Sequence, residues 1–124
     1  MTTKVLIAED EANIAELLRF LLERAGHETR WVADGQAAVT TARSYRPDVL
    51  VLDVMLPTLS GYEVLKAVRA DPAIAGLPVL MLTAKGQEKD RRLAQELGAN
   101  AFITKPFSNI DVLSRVAELA TGEV

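Results

Sequence analysis

Five polar residues could do chemistry together, because each follows an apolar run of the chain, where α/β proteins usually place their ligands. They are Glu9, Asp10, Asp53, Thr83 and Lys105. Their three carboxylates and one ammonium leave an excess of two negative charges. Two carboxylates about 5 Å apart repel by about 3 kcal/mol at an effective dielectric of about 20. A divalent cation would offset that repulsion, and a small set of oxygen ligands favours Mg²⁺.

Asp53 ends the apolar run 49–52, and Pro57 ends the apolar residues that follow it. A run that is apolar on both faces predicts a central strand covered on both sides. The carboxyl end of such a strand is where an open α/β sheet binds ligands. Because a buried carboxylate is costly unless something neutralises it, the position of Asp53 predicts a cation nearby.

Five strands and five helices are predicted to alternate along the chain. The strands are predicted at 5–8, 28–33, 49–53, 78–83 and 101–104. Apolar residues spaced three and four apart predict the helices, and Gly26 ends the first of them. Ser60 and Glu63 form a capping box at the third helix, and Ser108 with Asp111 begins the last. Such alternation predicts a doubly wound parallel sheet with all its carboxyl ends at one edge.

Several other positions carry structural predictions. Trp31 is predicted to lie on an edge strand, and Asp34-Gly35 is typical of a turn. The inner faces of the first, fourth and last helices are predicted to include Leu17, Leu93 and Ile110 respectively.

The composition predicts a single globular domain over residues 1–124. Hydrophobic residues are 49% of the chain and charged residues 25%, and the net charge is −3. That balance is typical of a folded domain and provides no basic face for direct nucleic-acid or membrane binding. The absence of cysteine excludes disulfides and thiolate metal sites. The sequence does not begin with a signal-peptide pattern, and we expect a cytoplasmic protein.

The order of the site motifs resembles a known family. Glu9-Asp10, Asp53, Thr83-Ala84 and Lys105-Pro106-Phe107 follow one another on alternating strands. This arrangement resembles the receiver domain of two-component response regulators, and the resemblance extends over most of the chain. It implies a flavodoxin-like (βα)5 fold with strand order 2-1-3-4-5.

The resemblance also implies a role for each acidic residue. Asp53 would be the phosphoacceptor, whose carboxylate attacks a phosphoryl group carried by a histidine of a partner kinase. Asp10, Asp53 and the main-chain carbonyl of Met55 would be direct Mg²⁺ ligands. Glu9 would act through a metal-bound water.

The resemblance also implies switching and phosphate-binding roles for three further residues. Lys105 would pair with a phosphoryl oxygen, Thr83 would be the switch hydroxyl, and Phe102 would be the aromatic that changes rotamer. The Lys105–Pro106 bond is usually cis in this family, a rare state for a peptide bond.

The implied partners are a sensor histidine kinase or histidine phosphotransfer protein, and a downstream protein target or output domain. The resemblance implies a monomer or a phosphorylation-dependent dimer, and a phosphoacceptor signalling domain rather than an enzyme. Asn100-Ala101 stands where DNA-binding relatives of the winged-helix class often have two acids, so this sequence lacks two residues that help those relatives dimerise.

Three rival functions make different demands on the same residues. Each of the five polar residues, taken alone, has an ordinary structural explanation, such as helix-dipole pairing for Glu9 and Asp10. A flavodoxin-like cofactor binder would need a phosphate loop where the acids stand. A haloacid-dehalogenase phosphatase would need an aspartate at Met55. A degenerate receiver that acts only as a phosphorylation-independent scaffold is the remaining alternative.

Overall fold

The computed structural model describes residues 2–84 and 88–122, in which strands and helices alternate as predicted. The elements are β1 (Lys4–Ala8), α1 (Ala12–Arg24), β2 (Glu28–Val32), α2 (Gly35–Tyr45), β3 (Val49–Asp53), α3 (Gly61–Ala70), β4 (Val79–Ala84), α4 (Glu88–Glu96), β5 (Ala101–Lys105) and α5 (Asn109–Thr121). Among the described helices, none has the length and apolar character needed to cross a membrane.

The five strands form one parallel sheet in the order β2-β1-β3-β4-β5. This confirms the predicted 2-1-3-4-5 order and the place of Trp31 on an edge strand. The register aligns Ala8 with Leu52, Asp53 with Leu82, and Ala84 with Lys105. We call the side where these strands end the carboxyl edge, and the side where they begin the amino edge.

Two hydrophobic cores cover the two faces of the sheet. Apolar residues of α1 and α5 pack on one face, and those of α2, α3 and α4 pack on the other. Every residue of β3 is buried, as its continuous apolar run predicted. The central strand therefore carries Asp53 to the carboxyl edge between two layers of helices.

Local signals in the sequence fix several helix ends. Ser60 accepts a hydrogen bond from the Glu63 N–H, and the Glu63 side chain accepts one from the Ser60 N–H, so the capping box is confirmed. Ser108 caps α5 in the predicted way. Gly26 follows α1 with a φ of +96°, a left-handed value that glycine adopts without strain. Asp34 differs from the prediction, because it is the N-cap of α2 rather than part of a separate turn.

The prediction of an inner-face position is wrong for three residues. Leu17 and Leu93 are each 40% exposed, and Ile110 is 74% exposed. The buried stripe of α1 runs through Ala15, Leu18 and Leu22, and Leu17 lies beside it. The apolar arc of α1 is therefore wider than the surface that the sheet covers.

At the amino edge, Arg69 links separate segments of the chain. It is a half-buried residue of α3. Its guanidinium donates five hydrogen bonds of 2.7–3.1 Å, to the carbonyls of Gly98, Ala75 and Leu77 and to Asn100 Oδ1. Asn100 Oδ1 also accepts the Val79 N–H at 2.8 Å. A single side chain thus connects α3, the loop before β4 and the loop before β5.

Candidate functional site

Three carboxylates meet at the carboxyl edge. One oxygen from each of Glu9, Asp10 and Asp53 lies within 4.8 Å of the others. Glu9 is 0% exposed and Asp53 is 4% exposed, whereas Asp10 faces solvent. Two charges at that separation repel by about 3 kcal/mol at an effective dielectric of about 20. The residues fit a hard divalent cation, because converging carboxylate oxygens are the ligands that Mg²⁺ prefers.

Lys105 is the cation that the buried position of Asp53 predicted. Its Nζ lies 2.7 Å from Glu9 Oε1 and 3.2 Å from Asp53 Oδ1. Burial alone would lower the pKa of Lys105, but the hydrogen bond to Glu9 and the charges of Asp53 and Glu9 outweigh it and raise that pKa. Lys105 therefore stays an ammonium and holds two of the three carboxylates.

The pKa of Glu9 is strongly raised. Burial, and then the charge of Asp53, raise its pKa from 4.5 to about 7, although the hydrogen bond from Lys105 acts in the opposite direction. Its Oε2 also accepts the Glu11 N–H at 3.2 Å. Near neutral pH, Glu9 thus lies close to the midpoint of its titration.

The main chain of Glu9 is held by the neighbouring edge strand. Its N–H donates to the Val32 carbonyl at 3.1 Å, which extends the pairing past the end of β1. Its carbonyl accepts the indole N–H of Trp31 at 2.6 Å. Sequence reasoning missed this contact, because it depends on the register between β1 and β2.

The loop after Asp53 returns directly to α3. The Gly61 N–H donates to the Val54 carbonyl at 2.8 Å. A Cβ atom on Gly61 would lie 2.3 Å from the Asp53 carbonyl oxygen, so only glycine allows α3 to begin this close to Asp53. The side chain of Met55, within the loop, is 74% exposed.

Thr83 is buried but not satisfied. It is 1% exposed, and within residues 2–84 and 88–122 its Oγ1 has no hydrogen-bond partner. It follows Leu82, which pairs with Asp53 in the sheet. A buried hydroxyl without a partner costs about 1–3 kcal/mol, which suits a group that awaits a ligand.

Phe102 lies on the same face of the sheet as Thr83 and is partly buried against the core there. The guanidinium carbon of Arg91, on α4, lies 5.5 Å from the centre of its ring. The Lys105–Pro106 peptide bond is cis, as the family resemblance implied. The structure thus brings Glu9, Asp10, Asp53 and Lys105 together at the carboxyl edge. It also adds the contact between Arg91 and Phe102.

A family model supplies the decisive comparison. The model of the response regulator receiver domain matches residues 5–117, which includes every residue of the acidic group and Lys105. The chain belongs to this family. Receiver domains are signalling domains that interact with histidine kinases and output domains and generally bind Mg²⁺.

Individual proteins agree with this assignment. The alkaline phosphatase synthesis transcriptional regulatory protein PhoP of Bacillus subtilis is 46% identical over 116 residues, which are 94% of this chain and 48% of PhoP. The DNA-binding response regulator MtrA of Mycobacterium tuberculosis is 40% identical over 94% of this chain and 50% of its own length. This receiver domain therefore spans about half the length of the curated relatives it matches.

Solved structures share the fold over nearly the whole chain. A response regulator from Chloroflexus aurantiacus superposes with a TM-score of 0.94 at 36% identity, covering 98% of this chain and 99% of that one. The receiver domain of the sensor histidine kinase PA1611 from Pseudomonas aeruginosa superposes with a TM-score of 0.87 at 30% identity, with the same coverage. That second protein holds a magnesium ion coordinated in its active-site cleft.

Proposed function

We propose that this receiver domain accepts a phosphoryl group on Asp53 in a Mg²⁺-dependent reaction and then changes its α4-β5-α5 surface to control a partner. One observation carries the proposal. Carboxylate oxygens of Glu9, Asp10 and Asp53 lie within 4.8 Å of one another, and Lys105 contacts two of these residues. The donor would be a phosphohistidine of a sensor kinase or of a histidine phosphotransfer protein.

The metal would be held by Asp10, Asp53 and the main-chain carbonyl of Met55, with Glu9 acting through a water. When bound, Mg²⁺ neutralises the charge on the transferring phosphoryl oxygens. Its positive charge would also relieve the repulsion among the carboxylates, so the arrangement of acidic residues favours a cation.

The transfer itself needs little from the protein beyond positioning. A carboxylate oxygen of Asp53 attacks phosphorus, the P–N bond to the donor imidazole breaks, and its electron pair returns to the ring nitrogen. The product is an aspartyl phosphate. Lys105, already 3.2 Å from Asp53, pairs with a phosphoryl oxygen of the product.

The phosphoryl group would also recruit Thr83, whose buried hydroxyl has no partner in the described part of the chain. Hydrogen bonds to charged groups contribute about 1.5–3 kcal/mol each. Reversing a two-state population from 1:99 to 99:1 takes about 5.5 kcal/mol. Two such bonds, from Thr83 and Lys105, are therefore nearly sufficient to switch the surface that contains Phe102.

The partners and setting follow as part of the same proposal. The switched surface would act on an output domain or a separate target, in the cytoplasm, as a monomer or a phosphorylation-dependent dimer. PhoP is a transcriptional regulatory protein and MtrA is a DNA-binding response regulator. By analogy, DNA would be bound by an output domain and not by this receiver domain itself.

The experiment is phosphorylation by acetyl phosphate, with and without Mg²⁺, followed by intact mass. We expect one acid-stable, base-labile adduct that requires both Mg²⁺ and Asp53, and that disappears in Asp53→Asn. The matched control is Asp48→Asn, an exposed aspartate at the other end of the same strand, which should be phosphorylated like the wild type. An adduct that survives in Asp53→Asn would contradict Asp53 as the acceptor. No adduct with either acetyl phosphate or a histidine donor would favour the scaffold alternative.

A further inference from the structure

Thr58, in the loop between β3 and α3, has a left-handed backbone. Its φ is +66°, and the Leu59 N–H donates to the Pro57 carbonyl at 2.9 Å. These features define a γ-turn with a positive φ at its centre, the rare and strained form of that turn. A β-branched residue at positive φ is an outlier, and such strain persists only where the surroundings enforce it.

The side chain of Thr58 provides that enforcement. Its hydroxyl donates to Asp34 Oδ1 at 3.1 Å and accepts the Gln36 N–H at 3.0 Å. Asp34 Oδ1 also accepts the Ala37 N–H at 2.8 Å as the N-cap of α2. The hydroxyl is thus part of the capping network of a helix that lies in another part of the sequence.

The main chain of the turn docks on the same helix end. The Gly35 N–H donates to the Pro57 carbonyl at 3.0 Å. A Cβ on Gly35 would lie 2.0 Å from the Leu59 carbonyl oxygen, so the two backbones are in direct contact. The tip of the loop therefore rests on α2 through both backbone and side-chain contacts.

The base of this loop is the candidate metal site. The loop starts at Asp53 and closes where the Gly61 N–H meets the Val54 carbonyl at 2.8 Å. Met55, whose main-chain carbonyl belongs to the proposed ligand set, lies between the closed base and the anchored tip. Its exposed side chain gives the loop little packing at that point, so the backbone there depends on the two anchors.

We propose that Thr58 is a positioning residue for the metal. Its hydroxyl fixes the loop tip on the start of α2 and thereby holds the Met55 carbonyl in the orientation that binds Mg²⁺. This inference rests on the proposed function, because it takes the Met55 carbonyl to be a ligand. It adds a residue that touches neither metal nor phosphoryl group, and it assigns a use to the strained turn.

The test measures Mg²⁺ binding to the unphosphorylated protein by calorimetry. Thr58→Gly suits the positive φ but removes the hydroxyl, and we expect its Mg²⁺ dissociation constant to rise about tenfold, the low end for loss of an outer support at a metal site. Thr58→Ser keeps the hydroxyl and should stay close to the wild type. Thr58→Val, which keeps the branched shape without the hydroxyl, should resemble Thr58→Gly.

Two further measurements separate positioning from general destabilisation. Val39→Ala truncates a buried apolar residue of α2 that takes no part in the hydrogen bonds of the loop tip, and its Mg²⁺ dissociation constant should stay close to the wild type although its stability falls. With acetyl phosphate, Thr58→Gly should need more Mg²⁺ for half-maximal rate but reach nearly the wild-type rate at saturation.

Wild-type Mg²⁺ affinity in both Thr58→Gly and Thr58→Val would overturn the positioning role while Asp53 phosphorylation still supported the proposed function. An equal loss of affinity in Val39→Ala and in Thr58→Ser would overturn it as well, because stability alone would then explain the change. If the wild type bound no Mg²⁺, both the positioning role and the Mg²⁺-dependent function would fail.

Discussion

At the amino edge of the sheet, the guanidinium of Arg69 donates five hydrogen bonds. At the carboxyl edge, the buried hydroxyl of Thr83 has no partner among the described residues, and Lys105 contacts only two of the three clustered carboxylates, Glu9 and Asp53. Both edges of the sheet carry polar groups that are at least partly buried. They differ in whether the protein itself completes their bonding.

This difference in hydrogen bonding indicates that the amino edge contributes to stability and the carboxyl edge to ligand binding. Satisfied buried polar groups fix one structure, whereas unsatisfied ones cost free energy until a ligand arrives. The amino edge therefore holds the fold together, and the carboxyl edge keeps a binding capacity that the chain does not use. Substitutions at the two edges should consequently have opposite effects on stability and activity.

The largest effect is expected from Arg69→Met at the amino edge. It removes five hydrogen bonds and leaves part-buried carbonyls without a donor, so the free energy of unfolding should fall by about 3 kcal/mol. Urea denaturation measures this loss, and phosphorylation of the folded fraction should be unchanged. Arg92→Met, at an exposed position of α4, is the control and should change stability by less than about 0.5 kcal/mol. Equal losses in the two variants would contradict a structural role for Arg69.

A pH dependence should come from Glu9 at the carboxyl edge. Because its folded pKa is raised from 4.5 to about 7, the folded state retains the proton more strongly than the unfolded chain. Stability should therefore fall as pH rises from about 4.5 to about 7, by up to about 3 kcal/mol. Denaturation across this range should show the slope in the wild type and a flatter profile in Glu9→Gln.

The matched control for Glu9 is Glu16→Gln, an exposed position of α1, which should keep the wild-type slope. If the stability of the wild type instead rose between pH 5 and 7, and rose by the same amount in Glu9→Gln and Glu16→Gln, Glu9 would not dominate the titration of the site.

A smaller effect of opposite sign to that of Arg69 is expected from Asp53→Asn. The substitution removes a buried negative charge within 4.8 Å of two others, at the loss of one contact with Lys105. The relief of repulsion and desolvation should raise the free energy of unfolding by about 1 kcal/mol at pH 8. Asp48→Asn, at the amino end of the same strand, should produce no gain, since Asp48 accepts the Lys4 N–H there. A loss of stability in Asp53→Asn would mean that the Lys105 contact outweighs the repulsion.

The smallest effect is expected at Phe102. Arg91 lies 5.5 Å from its ring centre, and an exposed cation–π contact contributes about 0.5–1 kcal/mol. Arg91→Ala should therefore change the Phe102 rotamer populations in the unphosphorylated protein by a few-fold, as measured by aromatic carbon NMR. Arg92→Ala serves as the control, and the same populations in both variants would exclude a role for the contact.

The sequence predicts the fold well where a local pattern decides the structure. The apolar run before Asp53 predicts a strand buried at every position, and Ser60 with Glu63 predicts the start of α3. The convergence of Asp53 and Lys105 follows from parallel topology, because alternating strands bring their carboxyl ends to one edge. These features depend on periodicity and connectivity, which a single sequence contains.

Other features depend on contacts that no local pattern encodes. The positive φ of Thr58 has no signal in its residue type, since threonine avoids that region and is held there by α2. The bonds of Arg69 go mainly to main-chain carbonyls, which look alike in every sequence. The exposure of Ile110 depends on which part of its helix the sheet covers.

Trp31 gives the molecule an optical probe of its own. It is the only tryptophan in the sequence, and its indole N–H donates to the main-chain carbonyl of Glu9 at 2.6 Å. The emission of an indole responds to its hydrogen bonding and to nearby charge, so ultraviolet fluorescence reports on the backbone that carries the acidic group. With excitation selective for tryptophan over the two tyrosines, every spectral change is assignable to one place, and the unmodified protein can be followed in real time without a dye.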